Sequence, residues 1–220
     1  MSEPVRIAVI DSGVHATHPH VNGVAGGISI TPDGREQPDY VDRLGHGTAV
    51  TAAIREKAPE ADVFAVKIFH DALGCSIECL VAAIEWSIRS NMDLINLSLG
   101  TSKQEHAAAL QSAVDRAREN GALIVAAHED GGVRWLPGSL PGVVPVALDW
   151  DCPRNEYRTA TLADGRTVLR ASGYPRPIPG VTPARNLSGI SFAVANVTGL
   201  LARELHAGSL LRTELASRSK

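Results

Sequence analysis

VRIAVIDSGV, residues 5–14, is the stretch on which the fold turns. Apart from Arg6, Val5 to Ile10 is an unbroken apolar and largely β-branched run, the composition of a strand buried on both faces inside a parallel sheet. It ends at Asp11, followed by Ser12 and Gly13. A carboxylate therefore stands at a strand's carboxyl end, where open α/β sheets gather their functional groups.

Similar runs recur along the chain at Val63–Ile68, Asp93–Leu97, Ala122–Ala127 and Val143–Ala147. Helical patterns lie between them, at about Thr48–Lys57, Ser76–Ser90 and Gln104–Asn120. Strand and helix in alternation predict an α/β fold, a parallel doubly wound sheet with helices on both faces. Residues 149–183 are rich in Pro, Gly and Arg and read as strands and loops, with YPRPIPG (Tyr174–Gly180) a proline-fixed loop. A last helix is expected from near Ser191 to His206. The chain divides on this pattern into one domain, residues 1–206, and a polar tail, residues 207–220.

Two more segments set reactive residues in defined places. GHGTAV (Gly45–Val50) puts His46 between glycines where a helix opens. SGISFAVANVTG (Ser188–Gly199) puts Ser191 at the start of another helix, whose dipole favours negative charge developing there. Asp11, His46 and Ser191 are the residue types of a hydrolytic triad: an acid that orients an imidazole, a general base, and a nucleophile.

The order Asp, His, Ser in these settings resembles the subtilisin-like serine proteases, the subtilases. AVKIF (Ala65–Phe69), AAIEWSI (Ala82–Ile88) and MDLINLSLG (Met92–Gly100) extend the similarity over nearly the whole chain. The resemblance implies a subtilisin-like fold with Asp11, His46 and Ser191 as catalytic residues. It also implies that Ser98, Leu99 and Gly100 form the strand on which a substrate backbone lies, while Leu73, Gly74 and Cys75 border the groove on its other side. The expected partner is a peptide or protein substrate cleaved through an acyl-enzyme, with no cofactor.

Composition agrees with a single enzyme domain. A formal net charge of -3 over 220 residues gives no electrostatic footprint for nucleic acid or an anionic membrane. No apolar run reaches membrane-spanning length, and no signal-peptide core precedes the first strand, so a cytoplasmic protein is expected. The three cysteines, Cys75, Cys79 and Cys152, make no even disulfide framework. Cys75 and Cys79 lack a second ligand pair for zinc, so no metal site is expected.

Departures from the subtilase pattern sharpen the expectation. No pro-segment precedes the Asp11 strand in this sequence, so either folding without one or a mature or truncated form is expected. The insertion that builds the family's strong calcium site is missing after His46, so calcium is not expected to be needed. The family's oxyanion Asn falls in IVAAHEDGG (Ile124–Gly132) on Glu129, or on His128 if the alignment slips by one. An ionised carboxylate offers only acceptors, and losing this donor costs about a hundredfold to a thousandfold in turnover. A protonated Glu129 would donate, which implies a bell-shaped profile at mildly acidic pH. After the Ser, Phe192, Ala195 and Asn196 replace the family's Met, Pro and His. Two functions fit: a slow, specialised peptidase that matures a peptide or precursor, and a pseudoprotease that binds a peptide or partner in the same groove.

Overall fold

The computed structural model describes residues 3–208, and the rest of the tail, 209–220, lies outside the described residues. In chain order the elements are β1 (Arg6–Asp11), β2 (Gly26–Ile30), β3 (Glu36–Gln37), α1 (His46–Lys57), β4 (Asp62–Lys67), α2 (Ile77–Arg89) and β5 (Leu94–Leu97). There follow α3 (Ala107–Glu119), β6 (Leu123–Asp130), β7 (Val133–Arg134), β8 (Val144–Leu148), β9 (Arg158–Thr161), β10 (Thr167–Ala171) and α4 (Ile190–His206). A short 3₁₀ turn, Gln104–His106, opens the segment expected to be continuous helix up to Asn120.

The strands form one sheet in the order β3-β2-β4-β1-β5-β6-β8-β10-β9, with β7 pairing on β6. From β2 to β10 every neighbour is parallel, while β3, β7 and β9 add antiparallel pieces. The α/β architecture with helices on both faces is thus the one the alternation predicts.

β1 shows why its sequence is apolar throughout. It lies between β4 and β5, with Ile7 in register with both Val63 and Leu94. Ile7 and Val9 point to the layer that holds α1 and α4, whereas Ala8 and Ile10 point to the layer of α2 and α3. All four are fully buried, so a polar residue at any of them would lose its water without a partner.

α1 and α4 cross closely, and the sequence provides for it at Gly199. A Cβ there would come within 2.9 Å of the Ile54 carbonyl oxygen, so the helix carrying Ser191 can approach the helix carrying His46 only through a glycine. Asn196, in the place of the family's His, is fully buried on the same helix. Its amide donates to the carbonyls of Ser172 and Tyr174 at 2.8 and 3.1 Å, tying the segment after β10 to α4.

Candidate active site

Asp11 sits at the end of β1 with no solvent exposure. His46 is the first residue of α1, and the helix reaches β1 because Gly47 has no side chain: a Cβ there would stand 2.2 Å from the Gly13 carbonyl oxygen. The Gly47 N–H donates to Ser12 Oγ at 2.9 Å, and the Ser12 N–H donates to Asp11 Oδ1 at 2.7 Å. This seam fixes the imidazole. His46 Nδ1 lies 2.8 and 2.9 Å from the two Asp11 oxygens, which makes it the protonated nitrogen and leaves Nε2 as the basic one.

A second carboxylate holds the same helix start. Asp42 Oδ1 accepts from the N–H groups of Leu44 and Gly45 at 2.9 and 2.8 Å, and Oδ2 from the Thr48 N–H and hydroxyl at 2.9 and 2.6 Å. It serves the orphan donors that any helix amino terminus presents. Burial opposes ionisation of Asp42, but the bonds from Thr48, Gly45 and Leu44 prevail and hold its pKa below the usual carboxylate value. For His46, burial is the largest influence and pulls the pKa down. The hydrogen bond and charge of Asp11, with the charge of Asp42, outweigh it and leave the imidazole above its ordinary value. Nothing in the sequence pattern singled out Asp42, because it stands three residues ahead of the N-cap Gly45 and outside the usual capping position.

Ser191 is the second residue of α4, two after the N-cap Gly189, and lines one cleft with His46. Its Oγ donates to the Ser98 carbonyl at 3.0 Å, and Ser98 Oγ stands 2.9 Å from the Ser191 carbonyl and 3.0 Å from Asn96 Oδ1. Asn96 Nδ2 donates in turn to Thr198 Oγ1 at 2.9 Å, so the end of β5 is stitched to α4 at two levels. The structure thus brings Ser191 and His46 to one cleft, with the serine hydroxyl turned toward Ser98. Phe192 is buried beside the imidazole, ring centroids 6.0 Å apart.

The cleft, about 340 Å³, is lined by all six residues expected to border a substrate: Leu73, Gly74 and Cys75 together with Ser98, Leu99 and Gly100. Cys75 and Cys79 share a hydrogen bond that raises the first thiol's pKa and lowers the second's. Among the described residues no group of three or more His, Cys, Asp or Glu side chains is arranged to hold a metal ion. A smaller hollow of about 190 Å³ beside Ser191 is bounded by Ser98–Gly100, Ala127, Ile190 and Trp135. Trp135 escaped the sequence analysis because it lies outside every motif. It closes this hollow through the bridge between Thr101 and Leu136.

Glu129 and His128, the two residues expected at the oxyanion position, line neither space. β6 shifts register between Ala127 and Glu129, and Glu129 ends exposed, in register with Arg134 of β7. His128 is 4% exposed, and its Nδ1 has no partner among the described residues. Burial first, then the charges of Arg166 and Arg134, hold its pKa below the ordinary value. The residue of β6 that reaches the Ser191 hollow is Ala127. A mildly acidic optimum resting on Glu129 therefore has no geometric basis here.

No helix among the described residues is long and apolar enough to cross a membrane. A family model for the subtilases matches residues 2–144, a span that includes Asp11 and His46 but stops short of Ser191. Subtilisin NAT of Bacillus subtilis subsp. natto is 36% identical over 207 residues, covering 89% of this chain and 52% of its own length. Subtilisin of Bacillus pumilus is also 36% identical, covering 89% of this chain and 72% of its own. The thermostable alkaline protease of Halalkalibacterium halodurans is 32% identical over 210 residues, covering 90% and 55%. The chain thus spans about half the length of most of these relatives. The solved structure of sphericase matches the fold with a TM-score of 0.73 at 24% identity, over 98% of this chain and 81% of that one. The chain belongs to the subtilase family.

Proposed function

We propose that the protein is a serine endopeptidase that cleaves an extended peptide through an acyl-enzyme on Ser191, slowly and on a narrow range of substrates, as in maturing a peptide or precursor. The buried Asp11–His46 pair opening on the same cleft as Ser191 carries this reading, because a groove that only binds has no use for an oriented imidazole. In the reaction Ser191 Oγ rotates off the Ser98 carbonyl and attacks the substrate carbonyl while His46 Nε2 takes its proton. Asp11 stabilises the imidazolium. The tetrahedral intermediate collapses as His46 returns the proton to the leaving amine, and water repeats the sequence on the ester. The main-chain N–H of Ser191 lies in the first turn of α4, where amides have no partner within the helix, and serves as a donor for the developing oxyanion.

Since His46 must be unprotonated to act as base and its pKa is raised, kcat/KM rises with pH through and above its ordinary value. Cys75, an exposed free thiol beside the cleft, suits a reducing compartment, which supports a cytoplasmic setting. The pseudoprotease reading draws on one observation, the Ser191 hydroxyl engaged with Ser98. Labelling with a fluorophosphonate probe separates the two. A label that Ser191→Ala abolishes supports catalysis, and an unlabelled folded protein rejects it.

A further inference from the structure

A second hollow, about 730 Å³ and larger than the cleft at Ser98, adjoins the reactive residues and shares no lining residue with that cleft. Leu44 and Gly45, immediately before His46, line it, and so does Leu187, four residues before Ser191. If the acyl part of a peptide lies along Ser98–Gly100, the part beyond the scissile bond leaves past His46 and Ser191 toward this hollow.

Its chemistry is cationic beside apolar. Arg43, Arg176 and Arg185 line it together with His15, His18 and His20, and its one carboxylate, Asp42, is committed to the start of α1. Arg43 is held by Asp39 at 2.9 Å. Arg176 donates to the His20 carbonyl at 2.8 Å, a neutral partner, and forms no ion pair among the described residues. Arg185 is exposed and has no ion pair among the described residues. The cationic field is felt locally: burial first, then the charges of Arg176 and His18, lower the pKa of His20. Apolar surface adjoins the charge, because Leu44, Ile178 and Leu187 are 38%, 44% and 51% exposed on the same rim.

Resting on the reading of Ser191 as nucleophile, we propose that this hollow receives the leaving segment of the substrate and selects one with an apolar side chain next to a carboxylate, which Arg176 and Arg185 bind. The carboxylate can be an Asp or Glu side chain or a free carboxyl terminus. Leu44, Ile178 and Leu187 cover the apolar side chain, while the guanidinium groups, rigid forks suited to carboxylates, fix the acid.

The test measures binding to the Ser191→Ala protein by fluorescence anisotropy, with three peptides that differ only beyond the intended scissile bond: acidic side chains with an amidated end, neutral side chains with a free carboxylate, and neutral side chains with an amidated end. At low salt one or both acid-bearing peptides should bind about fivefold to tenfold more tightly than the neutral amide, and which one does so identifies the source of the carboxylate. The preference should shrink toward unity in 1 M salt, as on the order of a 3 Å Debye length requires, and in the Arg176→Gln/Arg185→Gln variant. Arg185→Gln alone, at an exposed residue, should give a partial loss and keeps the test open if Arg176→Gln unfolds the protein. Equal affinity for all three peptides, no measurable binding, or a preference that survives the arginine substitutions overturns the proposal. The wild-type protein with the same peptides, followed by mass spectrometry, separates this outcome from failure of the peptidase reading: preferential binding without cleavage rejects catalysis alone, and cleavage without preference rejects this inference alone.

Discussion

The Asp11–His46 side of the cleft and the Ser191 side are built by different means. On the first, a fully buried carboxylate, a glycine contact that admits no Cβ, a serine accepting from the next helix and a second carboxylate at the helix start all fix one imidazole orientation. On the second, the nucleophile stands at a half-buried helix start, and its hydroxyl is occupied by a main-chain carbonyl that a simple rotation releases. On the proposed reading the base is prepared by the fold itself, whereas the Ser191 hydroxyl must first leave the Ser98 carbonyl.

The largest blow to this contrast is Asp11→Asn. An amide in that buried position cannot hold the same tautomer, and kcat should fall about 10⁴-fold with little change in KM. A loss of less than about tenfold would mean that the imidazole is oriented from elsewhere. Asp42→Asn should act next most strongly. Thr48 loses a charged acceptor, so unfolding free energy should fall by about 1–3 kcal/mol and kcat/KM about tenfold. Asp42 also raises the His46 pKa, so removing its charge should move the acid limb of the pH profile to lower pH. A purely structural Asp42 would leave that limb in place. In the wild-type protein the stabilisation from Asp42, whose folded pKa is depressed, is complete above roughly pH 4 and is lost only as the pH falls through the lower folded value.

On the nucleophile's side, Thr198→Val strands Asn96 Nδ2 in the core and should cost about 1–3 kcal/mol, with a several-fold loss in kcat as α4 loosens from β5. Thermal melts and steady-state kinetics on the same samples read both. Glu129→Asn should have the smallest effect, under about twofold in kcat at neutral pH, since Glu129 lies outside both spaces that Ser191 lines. A rise toward a hundredfold would place Glu129 against the attacked carbonyl after all.

These outcomes follow the line between what the sequence discloses and what it hides. The five central strands and all four helices are legible because burial on both faces demands continuous apolar runs, and because glycines and a serine mark where helices open. β2 is not: GGISI (Gly26–Ile30) begins with two glycines and packs at the flank of the sheet, so it lacks the apolar density of β1. The positions of His46, Ser98 and Gly100 at the cleft, and of Asp11 behind His46, come from local motifs tied to single elements. Glu129 is different, because a register shift inside β6 decides which residue faces Ser191, and no spacing of residue types reveals such a shift. Trp135 owes its place to a bridge made across the chain, so its own neighbours in sequence say little about it, whereas Asp42 acts on residues two to six positions ahead from a place that no simple capping pattern marks.

The amide of Gly47 points into the protein at Ser12, shielded on all sides by β1 and α1. Its proton can exchange with solvent only when α1 lifts from the sheet, whereas the amide of Ser191, at a helix start on the cleft wall, is open to water without any such event. Deuterium uptake at these two positions would then differ by orders of magnitude in the native protein. The same opening that finally labels Gly47 also separates His46 from Asp11. Exchange at Gly47 thus reports on how long the Asp11–His46 pair, once assembled, survives.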